Sequence, residues 1–211
     1  LEEFKNIPKI LQKKTLGVES NLFFFKHTPL DIIQIVMKAK DTKEYQFVVN
    51  NENSLTIEIF RRVPLNIGFL LSTLSHLDVG SMEIFTLFDD IKYFKIEFKK
   101  NVDGDELTEV QNIIKAAFDM DRVVEHRNIV IKKDEISIDC EHSKTHAELN
   151  VNTKNQIGLL AHLMDSFEQL GINIVTAKIH STKHKVRDSF LISKQNNICN
   201  NVEKIYELLI K

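Results

Sequence analysis

The stretch Gln156-Ile-Gly-Leu-Leu-Ala161 decides the fold, because it recurs earlier in the chain as Asn66-Ile-Gly-Phe-Leu-Leu71. The segments upstream of both copies match in the same order: Phe47-Val-Val-Asn-Asn-Glu-Asn-Ser54 and Leu55-Thr-Ile-Glu-Ile-Phe60 correspond to Ile136-Ser-Ile-Asp-Cys-Glu-His-Ser143 and Ala147-Glu-Leu-Asn-Val151. Gly68 and Gly158 occupy the same place in the two copies. An internal repeat of this length indicates two copies of one structural unit.

Each repeat has the hydrophobic periodicity of two strands, a helix, two further strands and a second helix. Apolar residues three and four apart predict the first helices, which begin near Leu70 and Leu159, and the second helices over residues 106–118 and 200–209. Alternating apolar and polar residues predict the strands between them, with a tight hairpin across Asp89-Asp90 in the first repeat. Gly80 and Gly171 are predicted to end the first helices in the left-handed conformation.

The order ββαββα ends on a helix, so the opening strand of each repeat needs a partner other than a closing strand. We expect residues 45–50 and 136–140 to pair with the next strand as hairpins, which makes each repeat a circularly permuted ferredoxin-like sandwich. The predicted fold is therefore α+β, with two tandem sandwiches. The predicted boundaries are 1–44 for a helical connector, 45–118 for the first domain, 119–135 for a linker and 136–211 for the second domain.

The connector contains a clear helix start. Thr28 is suited to the N-cap, Pro29 to the first helical position and Asp31 to the first turn. A second helix is predicted over residues 4–12. The sequence begins with Leu1, which leads us to expect that it is part of a longer chain whose upstream domains the connector would join.

The composition excludes several classes of function. The 211 residues carry a formal net charge of −2 with both signs interspersed, which argues against nucleic acid or an anionic membrane surface as a partner. No apolar run approaches the ~20 residues of a membrane-spanning helix. Two cysteines, Cys140 and Cys199, are too few for a disulfide framework and fit a reducing compartment, although one bridge is possible. We therefore expect a cytoplasmic protein.

The second repeat resembles an ACT domain, an amino-acid-binding regulatory module of metabolic enzymes. The resemblance lies in Asn155-Gln-Ile-Gly-Leu-Leu160, Leu170-Gly-Ile-Asn-Ile174, Ala177-Lys-Ile-His180 and Asp188-Ser-Phe190. With Phe24-Phe-Lys-His-Thr-Pro29 upstream, the chain is similar to the paired ACT domains that end the bacterial uridylyltransferases and uridylyl-removing enzymes of the P-II nitrogen-signalling protein. It departs from the family at Ile67 and Ile157, where a proline is usual, and at Leu65, where Asp or Asn is usual.

The resemblance implies a site for a small amino acid, with glutamine as the expected ligand. Its ligand-contacting residues would be Asn155, Gly158, Leu159 and Asn173, with a possible second site at Asn66 and Gly68 of the first repeat. Independently of the resemblance, a glycine before a helix allows close approach of a ligand carboxylate to the first-turn N–H groups. Packing and turn formation also explain Gly158 and Asn155, and Asn173 could cap a strand edge, so both explanations stay open.

Catalytic and metal-binding patterns are lacking in the sequence. The family's nucleotidyltransferase motif, Gly-Ser followed by paired aspartates, and its His-Asp pair are both missing, so this chain is expected to regulate upstream catalytic domains rather than to catalyse. No cofactor is expected. Cys140, His142 and His146 would alternate between the faces of a hairpin, which does not assemble a metal site. The alternative to amino-acid sensing is a ligand-free interaction module, with a possible homodimer through the ACT-like domains.

Overall fold

The computed structural model describes residues 21–123 and 128–210, which form an α+β fold with a single eight-stranded antiparallel sheet. The helix predicted over residues 4–12 lies outside the described residues. In the part of the chain that is described, no helix is long and apolar enough to cross a membrane.

The described elements follow the predicted order. The helices are α1 Asn21–Lys26, α2 Pro29–Asp41, α3 Ile67–Thr73, α4 Gly104–Ala116, α5 Leu159–Gln169 and α6 Val202–Leu209. The strands are β1 Tyr45–Asn50, β2 Thr56–Arg61, β3 Val79–Thr86, β4 Lys92–Phe98, β5 Ile136–Asp139, β6 His146–Lys154, β7 Ile174–Lys178 and β8 Lys185–Ser193.

The two repeats share one sheet, in the strand order β1-β2-β4-β3-β7-β8-β6-β5. Each repeat contributes four adjacent strands, and its opening strand pairs with the next strand as predicted. The halves join through antiparallel pairing of β3 with β7, in which Glu83 faces Lys178 and Phe85 faces Thr176. The repeats therefore pair within one chain, a point that the sequence left open.

Apolar side chains explain how the helices are placed. Buried residues of α3, α4, α5 and α6 form one core with one face of the sheet. Phe94 of β4, Phe167 of α5 and Phe190 of β8 belong to this core. Burying a side chain of this size stabilises the fold by ~1.5–3 kcal/mol. The other face of the first half is covered by α1 and α2, whose Phe23 and Ile35 pack with Phe60, Phe85 and Tyr93.

Local chemistry fixes the start of α2 as predicted. The Thr28 hydroxyl accepts a hydrogen bond from Asp31 N at 3.2 Å, and the Asp31 carboxylate accepts one from Thr28 N at 2.9 Å. This reciprocal capping box satisfies two backbone donors that the helix itself cannot pair.

The predicted turns are confirmed in two cases and wrong in one. Asp89 and Asp90 adopt positive φ angles of 51° and 57° in the hairpin between β3 and β4. Gly171 follows α5 with a φ of 63°, as its predicted role requires. Gly80, in contrast, lies inside β3, because α3 already ends at Thr73 and the chain enters the sheet at Val79.

The two cysteines are joined. Cys140, after β5, and Cys199, in the 3-10 turn Gln195–Asn200 before α6, form a disulfide across a sequence separation of 59 residues. The bridge attaches the chain that leads into α6 to the outer hairpin of the second repeat. The sequence left one bridge possible, and the cytoplasmic localisation stays a prediction.

Candidate functional site

Two cavities among the described residues lie at the junction of the repeats, and the larger of this pair has a volume of about 710 Å³. One wall is the loop that leads into α5, residues 155–161, and another is the turn after β7, residues 181–183. The first repeat closes the cavity with the end of its own helix and the start of β3, including Leu71, Asp78 and Val79. Both repeats are therefore needed to form it.

Asn155 anchors the rim of this cavity. Its backbone N–H donates to His184 O at 3.1 Å, and its side-chain Nδ2 donates to Thr182 O at 2.9 Å. Asn155 thus holds the loop before α5 against the β7–β8 turn, as expected of a residue that forms a turn. It also lines the cavity. Its carbonyl oxygen Oδ1 is the remaining polar atom of the amide and is an acceptor.

Gly158 shapes the helix start at the cavity wall. It is the N-cap residue of α5 with φ 87° and ψ 0°, a left-handed conformation that favours glycine, and it supplies no side-chain cap. The first hydrogen bond within the helix runs from His162 N to Gly158 O at 3.0 Å. The N–H groups of Leu160 and Ala161 consequently have no acceptor inside the helix, and both residues line the cavity together with Leu159.

Asp188 places a buried carboxylate in the same cavity. It lies in β8 between Val186 and Phe190, on the sheet face that the helices cover, and is only 2% exposed. Oδ1 accepts a hydrogen bond from His180 N at 3.1 Å. Burial raises the pKa of Asp188 to about 7, although the His180 hydrogen bond acts in the opposite direction. A strongly shifted acid in a cavity is a typical feature of functional sites.

Sequence reasoning quoted Asp188 as part of a motif but did not assign it to the site. The available signal was its position, because Val186, Asp188, Phe190 and Ile192 alternate along one strand and Asp188 alone among them is charged. A charged residue in an otherwise apolar row is seldom buried without a partner or a function.

The first repeat contributes both signs of charge to the cavity. Asp78 and Lys99 line it from this side, and Lys99 N donates to Asp78 O at 2.9 Å. Lys183 lines it from the β7–β8 turn. Acidic residues, basic residues and the first turn of α5 therefore line one cavity, a combination that suits a zwitterionic ligand.

The start of α3 in the first repeat is capped by a side chain, unlike the start of α5. Asn66 caps α3, since its Oδ1 accepts from Phe69 N at 2.8 Å while its Nδ2 donates to Arg122 O at 2.8 Å. Gly68 lies inside α3 and is buried. The amide of Asn66 is thus used for capping and for holding the linker, and the possible second site at Asn66 and Gly68 does not repeat the open helix end at Gly158.

Asn173 does not lie with Asn155. It lines a second cavity of about 130 Å³, near the other end of the paired strands β3 and β7, together with Arg61, Leu65, Lys92 and Glu168. Its Oδ1 accepts a hydrogen bond from Lys92 Nζ at 2.8 Å. The structure thus brings Asn155, Gly158 and Leu159 together and separates Asn173 from them.

The counterpart of Asn173 in the first repeat is Asp78. Asn173 O accepts from Ser193 N at the end of β8, and Asp78 O accepts from Lys99 N just after β4. Glu83, which sequence spacing matches to Asn173, lies in the middle of β3 opposite Lys178. Helices of unequal length shift the spacing, so equivalent positions cannot be found by counting residues.

The described residues contain no group of three or more His, Cys, Asp or Glu side chains able to hold a metal ion. Cys140 is in the disulfide, and His142 Nδ1 lies 3.9 Å from a Glu148 carboxylate oxygen.

Comparison of the sequence with known proteins does not assign the chain to a family. No protein-family profile matches the sequence, and no curated protein matches it significantly.

Proposed function

We propose that this chain is a pair of tandem ferredoxin-like, ACT-type domains that binds a free amino acid in the larger cavity between them. The observation that carries the proposal is the buried carboxylate of Asp188 in the same cavity as the uncapped start of α5. The two groups match the two ends of a zwitterion.

In the proposed complex, Asp188 in its ionised form accepts the ligand ammonium group. The ligand carboxylate accepts hydrogen bonds from Leu160 N and Ala161 N, where the helix dipole also favours negative charge. Asn155 and the charged residues Asp78 and Lys99 line the same cavity and are available to the ligand side chain. A cavity of about 710 Å³ lies within the ~300–1,000 Å³ range of small-molecule sites.

The proposed ligand is glutamine, and the proposed role is regulation of upstream catalytic domains of a P-II uridylyltransferase type. Support for this finer assignment comes from the ACT-like motifs of the second repeat. Because both repeats wall the cavity, a ligand there would change how firmly they pair, and coupling of this kind is typically worth ~1–3 kcal/mol.

Isothermal titration calorimetry of the chain with each of the twenty amino acids tests the proposal. We expect saturable binding of one amino acid per chain, with glutamine among the ligands. The Asp188→Asn variant should lose at least about ten-fold in affinity, because it replaces a charge-assisted hydrogen bond worth ~1.5–3 kcal/mol with a neutral contact.

The matched control is Asp139→Asn, which makes the same change at an exposed aspartate of β5 and should leave affinity unchanged. If no amino acid binds, or if both variants bind equally well, the proposed site is wrong. Binding of an amino acid other than glutamine would keep the site and remove the nitrogen-sensing assignment.

A ligand-free interaction module is the second candidate, and one surface favours it. Leu30, Ile33 and Met37 form an apolar stripe on the outer side of α2, of which Leu30 and Met37 are 51% and 61% exposed. Apolar side chains grouped on one helix face are typical of contact surfaces. Concentration-dependent dimerisation that Met37→Glu abolishes, without a response to any amino acid, would favour this function.

A further inference from the structure

The strand β1 forms one edge of the eight-stranded sheet, and no strand among the described residues pairs with its outer side. The antiparallel ladder shows which of its backbone groups face outward. Arg62 N donates to Glu44 O just before β1, so alternate residues from Glu44 onward bond to β2. The N–H and C=O groups of Tyr45, Phe47 and Val49 therefore point away from the sheet.

The pairing of β2 with its other neighbour, β4, agrees with this assignment. Leu55 O, just before β2, accepts a hydrogen bond from Phe98 N at 2.9 Å, so the odd-numbered residues of β2 bond to β4. The even-numbered residues of β2 are left for β1, and their register partners there are Gln46, Val48 and Asn50. The residues between these three keep outward-facing donors and acceptors.

The edge at β1 lacks the features that usually prevent an exposed edge from pairing, which are charged residues, prolines and bulges. Its sequence, Tyr-Gln-Phe-Val-Val-Asn, is uncharged, and its register with β2 runs without a bulge. Tyr45 and Val48 are 37% and 39% exposed. The opposite edge of the sheet, β5, is shorter and ends in the charged Asp139. Of the two edges, β1 is therefore the one suited to pairing.

We propose that β1 pairs antiparallel with β1 of a second copy of this chain, about a two-fold axis at Phe47. In this register Tyr45 lies opposite Val49 of the second copy, and Phe47 lies opposite its own counterpart. The outward-facing N–H and C=O groups of all three residues then meet partners, because each residue of the set is matched with another of the set. This interface is independent of the amino-acid site.

The charges that flank β1 fit a second copy better than an unrelated strand. Lys43 precedes the strand, Glu52 follows it, and both are exposed. Antiparallel pairing brings Lys43 of each copy close to the turn that carries Glu52 of the other, and opposite charges at neighbouring cross-strand positions stabilise the pair. A two-fold axis also closes the assembly at two chains, whereas pairing of β1 with β5 of another copy would propagate into a filament.

Hydrogen exchange followed by NMR, at protein concentrations from about 10 μM to about 1 mM, tests the proposal. The amides of Tyr45, Phe47 and Val49 should exchange at least about ten-fold more slowly at the highest concentration, whereas that of Val48, which faces β2, should be protected throughout. Sedimentation equilibrium should show a monomer–dimer equilibrium over the same range. A chain that stays monomeric, or a dimer without protection of these three amides, would overturn the proposal.

Reversal of the flanking charges tests the identity of the partner strand. Lys43→Glu and Glu52→Lys should each weaken dimerisation several-fold, because each places like charges near one another on both sides of the two-fold axis. The double variant Lys43→Glu, Glu52→Lys restores opposite charges and should regain the wild-type dissociation constant. Lys144→Glu makes the same change in charge at an exposed residue between β5 and β6 and should have no effect. Equal dissociation constants for the single variants and the wild-type chain would contradict the proposed register.

Discussion

Asn155 and Asn173 lie in different cavities, near opposite ends of the strand pair that joins the two repeats. Asn155 holds the loop before α5 to the β7–β8 turn, whereas Asn173 accepts a hydrogen bond from Lys92 of the first repeat. Asn155 is thus bonded within its own repeat and Asn173 to the first repeat, and a ligand in one cavity does not contact both.

Substitution of the two asparagines should therefore have different effects. Asn155→Ala is expected to weaken amino-acid binding and to cost ~0.5–1.5 kcal/mol of stability through the lost bond to Thr182 O. Asn173→Ala should leave the affinity for the amino acid unchanged. Calorimetric titration of both variants checks this, and equal losses of affinity would mean that the cavities do not act separately.

The raised pKa of Asp188 predicts a specific dependence on pH. The pKa of an aspartate is 3.8 in the unfolded chain, and that of Asp188 is about 7 in the folded chain. Folding therefore takes up a proton at pH values between these two. The contribution to stability is complete below about pH 3.8 and is lost as the pH rises through about 7, by roughly 4 kcal/mol at 1.36 kcal/mol per pH unit.

Urea denaturation of the wild-type chain and Asp188→Asn between pH 5 and 8 measures this effect. The variant should lack the loss of stability and be the more stable of the two near pH 8. Amino-acid affinity of the wild-type chain should increase toward pH 8, since the ligand ammonium needs the ionised carboxylate. A difference between the two proteins that does not change with pH would contradict the shift.

Alanine substitutions at Gly158 and Gly171 can distinguish the cost of backbone strain from the loss of a ligand contact. Both have positive φ angles, of 87° and 63°, so alanine at either position should cost ~1–2 kcal/mol of stability. An added Cβ at Gly171 meets nothing within 4 Å, which makes Gly171→Ala a control for strain alone. Only Gly158→Ala should also weaken amino-acid binding, and equal binding by the two variants would remove Gly158 from the site.

The disulfide gives a prediction about stability and compartment. Linking Cys140 to Cys199 closes a loop of 59 residues, and its reduction should cost up to ~4 kcal/mol in the loop-entropy description. Guanidinium denaturation with and without dithiothreitol measures the effect, with the Cys140→Ser, Cys199→Ser double variant as a control that should not respond. Two reactive thiols in the native, unreduced protein would show that the bridge does not form.

The local features could be predicted from the sequence. The repeat, the order of strands and helices, the capping box at Thr28 and the left-handed Gly171 follow from short-range periodicity and hydrogen bonding. Interactions over a few residues are encoded directly in residue spacing. The conformation of Gly80 was missed because the shorter helix α3 changes where the chain enters the sheet.

The site depended on contacts between distant parts of the chain. The sequence by itself determined that Asn155 and Gly158 stand before a helix. Only the tertiary structure joined β3 to β7, which brings Asp78 of the first repeat to that helix start and turns Asn173 toward Lys92. The physical reason is that strand pairing between repeats is set by the packing of whole faces, and burial of Asp188 is a property of that packing rather than of its neighbours in sequence.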